Sequence, residues 1–222
     1  MFGVNFTLAQ ARLTALPSGA LWWASERLLV VGDLHLGRSE RTARLGGALL
    51  PPYETRHTLE RLEAEVAETR PAILVLLGDS FDDTEAALEL SEEALERINL
   101  LAAGRRLVWI AGNHDPGHLS LPGENVHAYR HQSLTFRHIA EPNGRAEVSA
   151  HFHPKARLTL RGQRISRPCF LVDDNRVILP AFGTYTGGLD ISHPAFDDLM
   201  GEGAHVLLTG RQVTALPYPV PA

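Results

Sequence analysis

Hydrophobic residues in the first half of the chain are concentrated in three unbroken apolar runs, and each run ends at a glycine. The runs are residues 28–31, 72–77 and 107–111. A short apolar run without polar interruption is typical of a β-strand buried on both faces, as in a parallel sheet covered by helices. Upstream of them, residues 5–13 and 20–24 are shorter strand-like runs.

Two amphipathic segments alternate with these runs. Residues 53–70 place Leu59, Leu62 and Val66 at helical spacing, with charged residues elsewhere. Residues 84–103 repeat the pattern and are predicted as a single helix. The predicted inner stripe of that helix is Leu88, Leu95, Ile98 and Leu101. The order strand, helix, strand, helix, strand predicts an α/β domain with a largely parallel core.

The pattern changes after residue 125, where short β-like runs follow one another and turn residues separate them. These runs are residues 126–138, 146–151, 156–165, 168–173, 175–182 and 205–216. They predict a mainly antiparallel half. Because no low-complexity tract or linker divides the two halves, we expect one domain over residues 1–222, built from two sheets with helices outside.

Composition excludes several classes of protein. With 222 residues, 44% hydrophobic and 21% charged, the chain is typical of a globular domain. A single cysteine, Cys169, excludes an intramolecular disulfide and a thiolate metal cluster. The N-terminal residues do not resemble a signal peptide, and no apolar stretch approaches the ~20 residues of a membrane span. We therefore expect a cytoplasmic protein.

The charge is unevenly distributed along the chain. The formal net charge of −5 argues weakly against a nucleic-acid-binding protein. Residues 151–176, however, carry more basic than acidic side chains. The basic ones are Lys155, Arg157, Arg161, Arg164, Arg167 and Arg176, against Asp173 and Asp174. One part of the surface could therefore be cationic although the whole chain is acidic.

Each of the three apolar runs is followed by polar residues that no amphipathic pattern explains. They are Asp33 and His35 after the first run, Asp79 and Asp82 after the second, and Asn113 and His114 after the third. Because ligands of open α/β sheets bind outside the carboxyl ends of the strands, we expect these tips to line one crevice. Gly32, Gly78 and Gly112 precede the polar residues and would let the backbone turn sharply and approach a ligand.

Histidines in the second half complete a possible metal site. His151 and His153 are two residues apart, so at a strand end both lie on the same face. His138 ends another β-like run, and His127 and His131 lie near it in sequence. A single histidine is usually structural, but an ordered set of oxygen and nitrogen donors suits two divalent cations about 3.5–4 Å apart. Such a pair lowers the pKa of a bridging water and orients a phosphoryl group for in-line displacement.

The motifs GDLHLG, LGDSFDD, AGNHDP and HFHP together resemble the signature of the calcineurin-like binuclear metallophosphoesterases. This resemblance implies a four-layer α/β/β/α sandwich. It also implies a first metal held by Asp33, His35 and His153, with Asp79 bridging, and a second completed by Asn113, His138 and His151. His114 matches the family histidine that approaches the leaving group, and Asp115 would orient it. One departure is Ala150, where the family usually has glycine before the two histidines.

The similarity is greater to one branch, the bacterial ligase-associated DNA damage response endonucleases. It rests on LLPPYETRHTL, RHIAEP, HPKARL, RPCFLV and ILPAFGTYTGGLD, and it covers most of residues 27–190. Members of that branch are manganese-dependent phosphodiesterases that act on single-stranded DNA. They are encoded beside an ATP-dependent ligase, a helicase and an exonuclease. The resemblance therefore implies an endonuclease, manganese as the cofactor and a function in DNA repair.

Two other functions remain open at this point. A phosphodiesterase or phosphatase for small nucleotides would need the same metal ligands, since the metals contact only the phosphate; the basic segment 151–176 favours DNA. A non-catalytic interaction scaffold is disfavoured because His114 and every candidate ligand are present. The segment GTYTGGLD could bind phosphate through its backbone and its Thr184, Tyr185 and Thr186 hydroxyls, or be a simple turn. The tryptophans Trp22, Trp23 and Trp109 are expected in the core.

Overall fold

A computed structural model of the protein describes residues 3–47, 50–116, 120–160 and 162–220. The first of its two sheets has seven strands in sequential order. They are β1 (Val4–Leu8), β2 (Ala11–Ala15), β3 (Leu21–Trp23), β4 (Leu28–Val31), β5 (Ile73–Leu76), β6 (Arg106–Ile110) and β7 (Glu124–Val126). Strands β1 to β4 pair antiparallel, whereas β4 to β7 pair parallel, as the alternation of strands and helices predicts.

The three apolar runs form β4, β5 and β6, and the alternate residues of these strands are buried on opposite faces of the sheet. Val30, Val75 and Val108 belong to the core between the two sheets. Their neighbours Leu29, Leu74 and Leu107 belong to the core beneath the helices. Both faces are therefore buried, and the carboxyl ends of three adjacent parallel strands lie at one edge of the sheet.

Four helices accompany the first sheet among the described residues: α1 (Arg38–Arg44), α2 (Glu54–Thr69), α3 (Thr84–Leu88) and α4 (Glu92–Ala102). Helix α2 buries Leu59, Leu62 and Val66 against the sheet, as predicted. Helix α4 does the same with Ile98 and Leu101.

The prediction of one helix over residues 84–103 is wrong. The segment forms α3 and α4, because a second helix start follows the first within eight residues. Asp83 accepts a hydrogen bond from the Ala86 N–H, and Ser91 accepts one from the Ala94 N–H, so each helix has its own N-cap. As a result Leu88 is 81% exposed rather than part of the inner stripe, and Leu95 is 36% exposed.

The second sheet has eight strands in the order β15-β14-β12-β13-β10-β9-β8, with β11 paired to β12. They are β8 (Ala128–His131), β9 (Leu134–Arg137), β10 (Glu147–Ser149), β11 (Lys155–Leu160), β12 (Gln163–Val172), β13 (Arg176–Ile178), β14 (His205–Leu208) and β15 (Thr214–Pro217). Most neighbours are antiparallel, as predicted, but β10 is parallel to both β9 and β13. This places the carboxyl ends of β9 and β10 together.

The two sheets pack face to face, and the layers follow from three hydrophobic cores. One core lies between the sheets, and a second lies beneath the helices of the first sheet. The third covers the outer face of the second sheet with a segment that contains the short 3-10 helix Pro194–Phe196, whose Phe196 is fully buried. The predicted α/β/β/α layering is confirmed, although this fourth layer contains only a 3-10 helix among the described residues. None of the described helices is long and apolar enough to cross a membrane.

Candidate metal centre

Five strand ends, three from the first sheet and two from the second, converge on one site. Asp33 and His35 follow β4, Asp79 follows β5, Asn113 and His114 follow β6, His138 follows β9, and His151 and His153 follow β10. Backbone hydrogen bonds continue beyond the strands and hold these tips together. The His35 N–H donates to the Asp79 carbonyl at 2.9 Å, and the Ala150 N–H donates to the His138 carbonyl at 3.0 Å.

The structure arranges six of these side chains in two sets of three, in each of which the nearest donor atoms lie within 4.8 Å of one another. The first set is Asp33, His35 and His153, and the second is Asp79, His138 and His151. Asp79 lies between the sets. Its Oδ2 is 3.3 Å from His138 Nε2 and 4.0 Å from His35 Nε2.

The seventh expected ligand, Asn113, joins the second set. Its Oδ1 is 3.0 Å from His138 Nε2, which is also 3.1 Å from His151 Nδ1. His131, one of the alternatives to His138, instead pairs with Glu26 at 2.8 Å, away from both sets. The structure therefore brings together all seven residues that the sequence indicated as ligands.

The donor atoms fit a cation because two of them are buried, make no hydrogen bond within the described part of the chain, and face carboxylate oxygens of Asp33 and Asp79 at 3.3 and 4.0 Å. His35 Nε2 and His153 Nε2 are buried and make no hydrogen bond with the described residues. A buried polar atom without a partner is costly, and such atoms are rare in folded proteins. A set of carboxylate, amide and imidazole donors without sulfur is chemically suited to divalent ions such as Mn²⁺ and Zn²⁺.

The rings of two candidate ligands are held in a ligating orientation by their other nitrogen. His35 Nδ1 lies 2.8 Å from Asp82 Oδ1, and His138 Nδ1 lies 2.8 Å from the Leu77 carbonyl oxygen. A carbonyl can only accept, so Nδ1 of His138 carries the proton, and the Asp82 carboxylate favours the same tautomer in His35. In both rings the lone pair is then on Nε2, which faces the metal centre.

Asp82 itself is held by two arginines of α1. Arg38 and Arg41 donate to its two carboxylate oxygens at 3.0 and 3.2 Å. Burial would raise the pKa of Asp82, but the hydrogen bond with His35 and the charge of Arg38 outweigh it, so the pKa is lowered. Sequence reasoning noted Asp82 only by its position and missed both arginines. The three-residue spacing of Arg38 and Arg41, directly after the DLHLG motif, is the signal that could have indicated them.

The electrostatics of the second set also favour metal binding. Burial opposes the ionisation of Asp79, but the hydrogen bond with His138 and the N–H of His114 lower its pKa to about 2. Burial lowers the pKa of His138, yet Asp79 and Asp33 raise it overall. Two carboxylates thus attract positive charge to this position, and a cation can supply it in place of a proton.

The backbone at the site is held in an unusual conformation. Five candidate ligands have positive φ angles, a region that residues other than glycine rarely adopt: Asp33 (52°), His35 (45°), Asp79 (46°), His151 (65°) and His153 (46°). Such conformations cost about 1–3 kcal/mol each, and they persist where the surroundings determine them. Their concentration at one place indicates a site built for function.

Gly78, one of the glycines before the tips, has a φ of 84°, so the backbone turns there as predicted, but the space that these glycines leave is taken by neighbouring strand tips. A Cβ on Gly112 would lie 2.1 Å from the Asp79 backbone nitrogen, and one on Gly78 would lie 2.6 Å from His138 Nδ1. These glycines make room for neighbouring strand tips rather than for a ligand. Gly32 likewise leaves space for Ala150, whose methyl group would be 2.5 Å from a Cβ at that position. The residue that departs from the family pattern is therefore accommodated inside the fold.

His114 lies beside the two sets, but Asp115 does not orient it. His114 Nδ1 donates to the Asp82 carbonyl at 3.0 Å, and its ring is 5.4 Å from that of His35. The Asp115 carboxylate instead accepts from the Phe81 and Gly112 N–H groups at 3.0 and 2.9 Å. The predicted role of Asp115 is corrected accordingly. Asp115 instead holds the backbone that follows β5 and β6, because its two carboxylate oxygens accept hydrogen bonds from backbone N–H groups at both tips.

The basic segment 151–176 is less uniform than its sequence indicates. Arg157, Arg164 and Arg167 are exposed on the β11–β12 hairpin, whereas Arg161 lies outside the described residues. Arg176 is only 3% exposed and donates to the carbonyls of Glu141, Pro142 and Gly144. Arg176 therefore stabilises the fold and cannot contact a ligand at the surface.

The segment GTYTGGLD borders the metal centre, and two of its predicted phosphate-binding hydroxyls have partners within the protein. Thr184 Oγ1 lies 2.9 Å from His57 Nδ1 and 3.1 Å from Thr58 Oγ1. Thr186 donates to the Gly183 carbonyl at 3.1 Å. Both threonine hydroxyls therefore bond within the protein, as expected for a simple turn. His57, for which the sequence predicted no role, links this segment to α2. The tryptophans are placed as expected: Trp23 and Trp109 are buried, and Trp22 packs against the helix-side core.

Two adjoining sets of oxygen and nitrogen donors at the strand ends of a two-sheet α/β sandwich define a binuclear metal-dependent hydrolase. Comparison with known families agrees. The chain belongs to the calcineurin-like phosphoesterase family, whose model matches residues 26–177. The protein is therefore a hydrolytic phosphoesterase.

Solved structures and curated proteins extend the comparison. A nuclease from Pseudomonas putida, MPE, is 27% identical with a TM-score of 0.76, and the match covers 96% of this chain and all of that one. The Yfce phosphoesterase of E. coli is 14% identical with a TM-score of 0.38, over 81% of this chain and 87% of that one. A small ribosomal subunit protein, uS4 of Haloquadratum walsbyi, is 27% identical over 166 residues, 72% of this chain and 89% of that protein.

Proposed function

We propose that this phosphoesterase is a manganese-dependent endonuclease for single-stranded DNA. The observation that carries the proposal is the meeting of two donor sets at Asp79, with His114 beside them. Support for a nucleic-acid substrate comes from the similarity to the P. putida nuclease over nearly the whole chain. The residues Arg38 and Lys155, which lie next to the ligands, supply positive charge for a phosphodiester backbone.

The residues proposed for the first metal are Asp33, His35 and His153, and those for the second are Asn113, His138 and His151, with Asp79 shared. Two divalent cations held there supply positive charge to the phosphoryl oxygens and lower the pKa of a water molecule. Asn113 and Asp79 contribute oxygen donors, and both oxygen donors and imidazole nitrogens are suitable ligands for manganese. The protein holds these groups before substrate arrives, since hydrogen bonds and backbone geometry fix their orientation.

We assign His114 as the group that protonates the leaving oxygen. The Asp82 carbonyl accepts the proton of Nδ1 at 3.0 Å, so the opposite nitrogen, Nε2, is the one available to substrate. The backbone N–H of His114 donates to Asp79 Oδ1 at 2.9 Å, which ties the position of the ring to that of the shared carboxylate. Asp115 acts as a positioning residue, because it holds the backbone on either side of these tips.

The preference for a single strand follows from the shape and charge of the site. In-line attack requires one phosphodiester to approach a crevice at the strand tips. A flexible strand can bend to do so, whereas a duplex resists, since local bending costs up to several kcal/mol. With a net charge of −5, the protein has little means of offsetting that cost by wrapping a duplex.

We further propose that residues 1–222 act as one metallophosphoesterase domain in the cytoplasm, with DNA repair as the cellular context. A functional link to an ATP-dependent ligase, a helicase and an exonuclease is part of this proposal. It rests on the resemblance of LLPPYETRHTL, HPKARL and ILPAFGTYTGGLD to the ligase-associated branch.

The test compares a closed single-stranded DNA circle with a relaxed duplex circle, each incubated with the protein and manganese. A circle offers no end to an exonuclease, so linearisation reports endonuclease activity. We expect the single-stranded circle to be cut and the duplex to be spared. An intact single-stranded circle, or equal cutting of both, would overturn the proposal. Cyclic nucleotides and p-nitrophenyl esters are assayed in parallel, since activity on these alone identifies a small-nucleotide phosphoesterase instead.

A further inference from the structure

Two exposed tyrosines lie side by side, in segments that are hydrogen-bonded to the strand tips of the candidate metal centre. Tyr53 precedes α2, and Tyr185 lies in the loop between β13 and the 3-10 helix. Their side chains are 56% and 37% exposed, and their ring centroids are 6.5 Å apart at an interplanar angle of 52°. The two other tyrosines, Tyr129 and Tyr218, are more buried, and Tyr218 donates its hydroxyl proton to the Ile191 carbonyl. Neither fold nor proposed catalysis accounts for this exposed pair.

The loop that carries Tyr185 contacts the backbone of the first ligand set at both of its ends. The Gly183 N–H donates to the Asp33 carbonyl at 3.0 Å. At the other end, a Cβ on Gly188 would lie 2.2 Å from the His153 carbonyl oxygen, so the two segments touch. Tyr185 is two residues from Gly183, so its Cα lies within about 7 Å of the Gly183 Cα.

The segment that carries Tyr53 is linked to the same strand tip. Two residues after Tyr53, Thr55 accepts a hydrogen bond from the Gly37 N–H at 2.9 Å. Gly37 is itself two residues after His35. Each tyrosine is therefore two residues from a hydrogen bond that joins its segment to the segment carrying Asp33 and His35.

The loop holds Tyr185 in a defined position. Tyr185 has a φ of 61°, a conformation that a bulky residue adopts only when its surroundings impose it. The residue before it is fixed by the Thr184 N–H, which donates to Thr58 Oγ1 at 3.0 Å. The residue after it is fixed by Lys155 Nζ, which donates to the Thr186 carbonyl at 2.9 Å. The neighbouring phenol of Tyr53 raises the pKa of the Tyr185 phenol to about 12.

Positive charge lies next to this aromatic pair. Lys155, which fixes the loop, is close enough to Arg38 for the two charges to interact. Arg38 retains 29% side-chain exposure while it pairs with Asp82. Aromatic rings beside a cationic groove are the combination by which proteins bind single-stranded nucleic acid, with bases stacked on the rings and phosphates on the cations.

We propose that Tyr53 and Tyr185 form a stacking site for an unpaired base adjacent to the phosphodiester that is cleaved. The inference rests on the proposed endonuclease function and adds to it the part of the substrate that the metals cannot contact. Stacking is available only to a base that is unpaired and turned outwards. The tyrosine pair thus gives the protein a direct means of selecting single strands over duplexes.

The experiment uses a short single-stranded DNA with one cleavable linkage, the remaining linkages being methylphosphonates. A second set of strands carries an abasic residue on the 5′ or the 3′ side of that linkage. With wild-type protein and manganese, we expect removal of the base on one side to lower kcat/KM by about 5- to 150-fold, chiefly through KM. The double variant Tyr53→Ala/Tyr185→Ala should lose a similar factor on the complete strand and little more on the abasic strand.

Matched variants separate stacking from general damage. Tyr53→Phe/Tyr185→Phe keeps both rings and should retain the dependence on the base, although it removes both phenol hydroxyls. Leu100→Ala changes a residue that is 64% exposed on α4, remote from the loop, and should behave as wild type. Thermal unfolding and manganese content confirm that each variant is folded and loaded.

Three results would overturn the inference: equal cleavage of complete and abasic strands by wild type, equal losses on both strands in the alanine variant, or loss of the base dependence in the phenylalanine variant. Failure of wild type to cut any of these strands is a separate outcome, because it refutes the endonuclease function itself.

Discussion

Replacing Asp82 with asparagine perturbs the metal centre without removing any proposed ligand. The carboxylate lies 2.8 Å from His35 Nδ1 and is paired with Arg38 and Arg41. Asparagine has nearly the same shape and can still accept from His35 through its amide oxygen, so the fold should be retained. What is lost is the negative charge that fixes the tautomer of His35 and strengthens its Nε2 as a donor.

The size of the effect can be worked out in two ways. A hydrogen bond to a charged group contributes about 1.5–3 kcal/mol. Partners that hold a ligating histidine typically account for about 10- to 100-fold in metal affinity, or about 1.4–2.7 kcal/mol. Losing the ion pairs with Arg38 and Arg41 adds little to this free-energy cost. The two arginine side chains are 29% and 35% exposed, so solvent screens their unpaired charges. We expect manganese affinity to fall about 10- to 100-fold.

The assay is a manganese titration followed by calorimetry, with activity on a p-nitrophenyl ester at saturating metal as a second measurement. Asp83→Asn is the matched control. Asp83 is the next residue; it pairs with Arg44 and with Arg41 and caps α3, and the hydrogen bonds and ion pairs of the described residues do not join it to His35. That variant should lose some stability and no metal affinity. An Asp82→Asn protein that binds manganese within about threefold of wild type, or an equal loss in Asp83→Asn, would refute the role assigned to Asp82.

Other expectations concern single side chains. Asp79→Ala should lose bound metal and hydrolysis together, because Asp79 lies between both sets; a metal-loaded variant with more than about a hundredth of the wild-type rate would contradict this. His114→Ala should keep its metal and lose more rate on DNA than on p-nitrophenyl esters, whose leaving group needs little protonation; equal losses would exclude an acid role. Burial raises the pKa of Cys169 to about 12, so a thiol reagent should not react with the folded protein at pH 8, and should do so in denaturant. The same shift makes stability fall as pH rises above 9.0, the ordinary pKa of the thiol, because only the unfolded chain then loses the proton.

The parts of the fold that the sequence predicted are those determined by local pattern. Uninterrupted apolar runs predicted strands β4 to β6 because both faces of these strands are buried. The spacing of Leu59, Leu62 and Val66 predicted α2 for the corresponding reason. The candidate ligands could be selected from the sequence because residues at successive strand ends have few structural reasons to be Asp, Asn and His.

The remaining errors have a common physical cause, since each depends on contacts between distant segments. Residues 84–103 keep a helical period across the break at Ser91, so periodicity alone could not reveal two caps. Composition alone does not distinguish Arg176 from an exposed arginine, yet Arg176 is buried and donates to backbone carbonyls within residues 141–144. Asp115 follows His114 directly, but its partners are the backbone of Phe81 and Gly112.

The candidate ligands come from both sheets, so a bound metal would join the two sheets mechanically. The first set takes Asp33 and His35 from one sheet and His153 from the other, and the second set likewise combines Asp79 with His138 and His151. A cation bound to either set would therefore link the two sheets at the edge where the polar strand tips lie. Opening the sheets there requires the metal to leave, so metal loading and resistance to unfolding should rise together. Manganese at 100 times its Kd would add about 2.7 kcal/mol to the free energy of unfolding.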